Sequence, residues 1–251
     1  MAEKDVTACL LIIGNEILSG RTQDANLAFL GRRLNEIGVR LAEARVIPDV
    51  EDRVVAAVNE TRAAHDYVFT TGGIGPTHDD ITAECLAKAF GVPLIENPEA
   101  RAVLEAYYPP GQLNEGRLRM ARTPEGATLI GNPVSSAPGF RIGNVFVMAG
   151  IPSVMQAMFE TLVPALEGGR PMRSHSLTVH LPESVLFRGL SDLQARYDGI
   201  EIGSYPFHSG GRFGVTVVLR GKDTGQLGDA AAALRTLVRD LGAEPEREET
   251  A

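Results

Sequence analysis

The chain has 251 residues, 44% hydrophobic and 22% charged, a balance that excludes collagenous, low-complexity and disordered classes and requires a buried core. Lys and Arg number 24 against 32 Asp and Glu, a net charge of −8; the densest basic groups, Arg32-Arg33 and Arg117/Arg119/Arg122, read as solvated helix faces, so no nucleic-acid partner is expected. Cys9 and Cys85 lie in apolar runs and make neither a disulfide framework nor a metal knuckle. The start of the chain lacks a basic, apolar leader, and no run reaches the roughly 18 apolar residues of a membrane span. A cytoplasmic protein with no membrane partner is expected.

Val6–Ile13 is a continuous apolar run ending at Gly14-Asn15, which suits a strand buried on both faces of a parallel sheet. Leu27, Leu30, Leu34 and Ile37 follow at helical spacing and stop at Gly38. A strand over Arg40–Ile47, a helix over Glu51–Ala64 and a buried strand over Tyr67–Thr71 come next. Helices are predicted at Asp80–Phe90 and Pro98–Tyr108, a strand at Asn144–Met148 and a helix at Pro152–Leu166, the alternation of an α/β domain over residues 1–168. After the linker Glu167-Gly168-Gly169-Arg170-Pro171, a β-α-β-β-α order over 172–243 predicts a small α+β module: strand Ser174–Leu181, helix Glu183–Tyr197, strands near Ile200–Tyr205 and Phe213–Arg220, helix Thr224–Leu241. Ser209-Gly210-Gly211-Arg212 reads as the turn between the paired strands, and 244–251 as a flexible tail.

The sharpest signal is Thr70-Thr71-Gly72-Gly73-Ile74-Gly75-Pro76-Thr77-His78-Asp79-Asp80, which leaves a buried strand and enters a helix. Ligands bind at such strand ends: glycines admit a phosphate, the helix start supplies N–H groups, and Thr71 and Thr77 add hydroxyls. Asp79 and Asp80 beside a phosphate imply an intervening cation, Mg2+ or another divalent ion such as Mn2+ or Co2+; equally, either can cap the helix that follows. His78 can act as acid or base, or orient Asp79 or a phosphate. His65, His175, His180 and His208 have no acidic or cysteine partners at ligand spacing, so no histidine zinc site is expected.

Gly14-Asn15-Glu16-Ile17-Leu18-Ser19-Gly20 leaves the first strand at the same sheet edge, with Glu16 and Ser19 facing it, and Asp49 leaves the second strand in the same way or caps the next helix. Two later loops, 131–140 with Pro133 and Gly139, and 148–153 with Gly150, Pro152 and Ser153, are rigid turns that could also enclose a sugar or base.

Together these segments, in this order, resemble the competence/damage-inducible protein A (CinA) family of the molybdopterin-binding superfamily, from about Val6 to Leu166. The resemblance implies a three-layer α/β/α domain with a mostly parallel sheet whose relatives bind molybdopterin or an adenine nucleotide. In this branch it is associated with divalent-metal-dependent hydrolysis of ADP-ribose, and in the FAD synthase relatives with cleavage of FAD. It implies functional aspartates at Asp49 and Asp80, a KH-like C-terminal module, a short form without the C-terminal amide-hydrolysing domain of longer members, and a homo-oligomer, dimer or trimer. Arg119-Met120-Ala121 stands where many relatives carry Lys-Gln-Ala, retaining the basic group as Arg119 but not the amide. Gly210-Gly211 lies between strands rather than helices, unlike an RNA-clamping loop.

The expected function is a divalent-metal-dependent pyrophosphatase for ADP-ribose, then FAD. Gly72, Gly73, Gly75 and Thr77 cradle the diphosphate, Asp79 and Asp80 with Glu16 or Asp49 hold the metal, and Arg119 stabilises the leaving phosphate. Gly14, Asn15, Ser19, Thr71, Pro76, His78, Pro133, Gly139, Gly150, Pro152 and Ser153 complete the expected substrate contacts. The alternative is a molybdopterin-binding protein that hydrolyses nothing.

Overall fold

The computed structural model describes residues 5–209 and 211–250. Met1–Lys4, Gly210 of the expected strand-joining turn, and Ala251 lie outside the described residues. The chain divides between Gly169 and Arg170 into two compact units.

The first unit runs β1 (Val6–Ile13), α1 (Asn15–Leu18), α2 (Asn26–Glu36), β2 (Val39–Ile47), α3 (Glu51–Ala64), β3 (Tyr67–Thr71), α4 (Thr82–Phe90), β4 (Leu94–Glu96), α5 (Pro98–Tyr107), α6 (Glu115–Arg119), β5 (Arg122–Pro124), β6 (Thr128–Ile130), β7 (Gly139–Ile142), β8 (Val145–Met148) and α7 (Pro152–Leu162). Its main sheet has the order β2-β1-β3-β8-β7-β6. β2, β1, β3 and β8 are mutually parallel, and β7 and β6 add an antiparallel edge.

Alternation along β1 explains the three layers. Ala8, Leu10 and Ile12 join the cluster that includes Leu30 and Leu34 of α2 and Met155, Met158 and Phe159 of α7. Cys9, Leu11 and Ile13 join the opposite cluster, with Val54 and Val58 of α3 and Cys85 and Leu86 of α4. A strand covered by helices on both sides has no polar face, which is why its sequence is uninterrupted apolar. β1 sits between β2 and β3, so the connections leaving β1 and β3 diverge, and a crevice opens at their C-terminal ends, the topological switch point of an open α/β sheet.

The second unit runs β9 (Arg173–Val179), α8 (Glu183–Arg196), β10 (Ile200–Ser209), β11 (Arg212–Gly221), α9 (Thr224–Asp240) and β12 (Arg247–Thr250). Its antiparallel sheet has the order β10-β11-β9-β12, and Leu186 and Leu193 of α8 and Leu227, Leu234 and Val238 of α9 pack on Leu177, Val217 and Leu219. The flexible tail expected over 244–251 is corrected here, because Arg247–Thr250 pairs with β9. Polar contacts dock it where apolar burial is lacking: Glu246 N donates to Thr178 O at 2.8 Å, and Glu248 accepts from Arg235 Nε at 2.8 Å. Among the described residues, no helix is long and apolar enough to cross a membrane.

Candidate functional site

Three strand ends meet in backbone contact at the crevice. Gly72, just after β3, has φ 100°, and a Cβ there would lie 2.2 Å from Ile13 O at the end of β1. On its other side, a Cβ on Gly150 would stand 3.3 Å from Gly72 Cα. Asn26 at the start of α2 holds this junction, its Nδ2 donating to Gly150 O at 2.9 Å. Thr82, fully buried, locks the turn, with its hydroxyl donating to Gly72 O and its N–H to Gly73 O, both at 3.0 Å. Sequence reasoning missed Asn26 and Thr82; the signal available was a polar residue at the first position of each helix.

Beyond this floor the loop folds back on its acidic end. Thr77 N donates to Asp80 Oδ2 at 2.8 Å, while Thr77 Oγ1 lies 2.6 Å from Asp79 Oδ1 and 2.5 Å from Asp80 Oδ2. A Cβ on Gly75 would lie 2.7 Å from Asp80 Oδ2, so the absent side chain is what makes room for that carboxylate. The Thr77 hydroxyl also holds the Asp79 carboxyl below its ordinary value. Neither aspartate caps α4, whose N-cap is Ile81 without a side-chain bond. His78 is 97% exposed, with Nδ1 3.9 Å from Asp79 Oδ1. Arg119 NH2 lies 3.5 Å from Asp80 O and 3.9 Å from Glu84 Oε1, so the guanidinium faces the backbone of this loop.

The loops after β1 and β2 form a second group. Asp49 Oδ2 accepts from Asn15 N at 2.8 Å, and Gly14 N donates to Ile47 O at 3.1 Å. Asp49 therefore ties β2 to the start of α1; the N-cap of α3 is Val50. A Cβ on Gly14 would lie 2.5 Å from Glu16 Oε2, so the Glu16 carboxylate folds over the Gly14 backbone, and Ser19 Oγ donates to Glu16 O at 3.2 Å. Pro76, Pro133 and Gly150 are exposed on their loops, and Pro152 and Ser153 are exposed in the first turn of α7.

Two expected contacts need correction. Thr71 is 1% exposed and its hydroxyl is buried, because alternation along β3 sends it to the side of Phe69 rather than into the loop. Gly139 is buried in β7, where a Cβ would lie 2.2 Å from Val147 O, so strand packing accounts for that glycine. Asn132 organises its loop instead, donating to Ser135 Oγ and Ala137 O and accepting from Val134 N and Ser135 N. Burial pushes the Cys9 and Cys85 thiols up to about 12, so neither serves as a nucleophile.

A parallel-core α/β sheet with glycine loops at its switch point defines the first unit, and a small antiparallel α+β unit makes up the second. Comparison with known proteins places the chain. The family model described as probable molybdopterin binding domain matches residues 9–168, and that of the FAD synthase middle domain matches residues 171–245. The chain belongs to the molybdopterin-binding-domain family and is CinA-like. It is similar to a protein of Pyrobaculum calidifontis, 38% identical over 186 residues that cover 72% of this chain and 69% of that one. It is 35% identical over 207 residues to a CinA-like protein of Desulfosudis oleivorans, covering 77% of this chain and 50% of that relative. The solved structure of the protein CinA from Thermoplasma acidophilum, described as of unknown function, aligns with TM-score 0.61 and 34% identity over 64% of this chain and 99% of that one.

Proposed function

We propose that this chain is a divalent-metal-dependent nucleotide pyrophosphatase, with ADP-ribose the favoured substrate and FAD the next. The supporting observation is the contact of two carboxylates with one hydroxyl: Thr77 Oγ1 has a single proton but lies 2.6 Å from Asp79 and 2.5 Å from Asp80. One of those oxygen pairs has no proton between its members, and a cation between the carboxylates relieves that repulsion. Hard carboxylate and hydroxyl oxygens are the donors that Mg2+ and Mn2+ take. Asp79 and Asp80 would hold the metal, with Glu16 or Asp49 as further donors. The bound cation supplies charge neutralisation at the diphosphate and activation of water.

The residues of the chain do the rest. N–H groups of Gly73 and Gly75 and the start of α4, which no side chain caps, bind diphosphate oxygens. Thr77 holds both aspartates in register, and Arg119, beside the Asp80 carbonyl, stabilises charge on the leaving phosphate. The choice of ADP-ribose and FAD rests on the family resemblance.

The test measures AMP release from ADP-ribose, FAD and NAD with Mg2+, Mn2+ or Co2+. Wild type cleaves ADP-ribose fastest, and Asp80→Ala lowers turnover by about a hundredfold or more while remaining folded. Unchanged turnover in Asp80→Ala removes that residue from the mechanism. The match to a probable molybdopterin binding domain favours a second reading, pterin binding without hydrolysis. No turnover with any cation, together with co-purification of a fluorescent pterin, establishes that reading instead.

A further inference from the structure

Cys9, Glu43 and His65 are far apart in sequence and meet on the α3 side of the sheet. Cys9 Sγ, a Glu43 carboxylate oxygen and a His65 ring nitrogen lie within 4.8 Å of one another. Sequence spacing gives His65 no ligand partners, whereas the tertiary structure brings Cys9 and Glu43 beside it. We propose that these three residues form a binding site for a thiophilic divalent cation of the zinc class.

A bulge in β2 builds the trio. Ala8 pairs with Leu41 but Cys9 pairs with Glu43, so Ala42 is the extra residue. Regular alternation would put Leu41, Glu43, Arg45 and Ile47 on one face. Instead Leu41 packs in the cluster of α2 and α7, while Ile47 packs in that of α3 and α4. The bulge turns Glu43 and Arg45 toward Cys9, the re-aiming of a side chain for which bulges are used. His65 arrives from the C-cap of α3, two residues before β3.

The donor atoms fit the ion. His65 Nε2 lies 3.1 Å from Glu43 Oε2, while Nδ1 is buried without a hydrogen-bond partner. Nε2 is thus the ring nitrogen that faces the trio, beside the Glu43 carboxylate. Thiolate, imidazole and carboxylate together suit zinc rather than magnesium or calcium. Donors about a tetrahedral zinc stand roughly 3.5 Å apart, so the trio needs only a small closure, with water at the fourth corner.

Charge also closes. Glu43, Glu60 and a Cys9 thiolate carry three negative charges, and Arg45, which bonds both glutamates, plus a divalent cation carry three positive ones. The trio is distinct from the crevice, which lies beyond Ile13 at the C-terminal ends of the strands.

The test titrates the metal-depleted full chain with Co2+, whose charge-transfer absorption in the near-ultraviolet reports a thiolate ligand that the crevice carboxylates cannot supply. Wild type, Cys85→Ala and Asp80→Ala give the band at one equivalent, Zn2+ displaces it, and Cys9→Ala abolishes it. Zn2+ at a hundredfold excess over Kd raises the wild-type Tm by roughly 5–10 °C and leaves that of Cys9→Ala unchanged. Should Cys9→Ala not fold, Glu43→Gln and His65→Gln decide, each weakening Co2+ binding about tenfold or more. Absence of the band in wild type, its persistence in Cys9→Ala, or undiminished affinity in both alternative variants overturns the site.

Discussion

Gly72→Ala tests the backbone junction beneath the crevice. At φ 100° an alanine is strained by about 1–3 kcal/mol. Its Cβ would also lie 2.2 Å from Ile13 O, a backbone atom that no rotamer change can remove. Relief requires β1 and β3 to separate at their paired ends, where Ile12 faces Thr71, and overpacking of this kind adds about 1–3 kcal/mol. The expected loss is about 3 kcal/mol, a Tm fall of roughly 6–12 °C by calorimetry for a unit of this size. Gly20→Ala is the matched control: its φ is 71° with nothing within 4 Å, so only the conformational cost of about 1 kcal/mol applies. If urea unfolding gives the two variants equal losses within about 0.5 kcal/mol, the close approach to Ile13 contributes nothing and the reasoning is wrong.

Gly75→Ala should act differently, because the atom its Cβ meets is the movable Asp80 carboxylate; stability changes by under about 1 kcal/mol while Mn2+ affinity, read by calorimetry, falls about tenfold. Asn132→Ala removes two donated and two accepted bonds, and should cost about 2 kcal/mol in urea unfolding and expose 132–137 to limited proteolysis. Glu160 pairs bidentately with Arg33, joining α7 to α2, and that bond holds its carboxyl below the ordinary 4.5. A depressed folded-state value means stabilisation present above the unfolded value and lost as pH falls through the folded one. Because the carboxylate is 46% exposed, solvent limits the effect; Glu160→Gln should lose about 0.5 kcal/mol at pH 7 and converge with wild type in acid, and a gap that widens below pH 4 would contradict the pairing.

Sequence periodicity located the elements whose burial is uniform. β1, α3 and β3 fall on their expected residues because a strand covered on both faces, or a helix between caps and turns, leaves an unmistakable pattern. The segment from 110 to 142 was opaque: β5, β6 and β7 have three or four residues each, too few for a period to register. β12 carries no apolar signature, because it docks through Glu248 and main-chain bonds rather than through apolar side chains. The β2 bulge was invisible for another reason, since whether Glu43 or Ala42 faces Cys9 depends on the neighbouring strand and not on the sequence of β2. In the crevice, the Gly-rich loop and both aspartates were legible as a motif, whereas Asn26 and Thr82 were not, because their role is to hold backbone carbonyls of other loops.

The three motif glycines serve different physical ends. Gly72 yields to the backbone of β1, Gly73 adopts φ 68° against the Thr82 hydroxyl, and only Gly75 leaves its space to a chemically active group. The missing side chains of two of the three are thus explained by folding alone, which leaves Gly75, Thr77, Asp79 and Asp80, beside the Gly73 N–H, to carry the binding argument. What remains after that subtraction is acidic, as is the Glu16 and Asp49 group across the switch point. An anionic diphosphate is disfavoured among such carboxylates on backbone N–H groups alone, since like charges a few ångströms apart repel. On the proposed reading, the residues that would receive a nucleotide would also make a cation a condition of binding it. This links the two halves of the proposed function: nucleotide affinity should vanish with the divalent metal, even where no bond is cleaved.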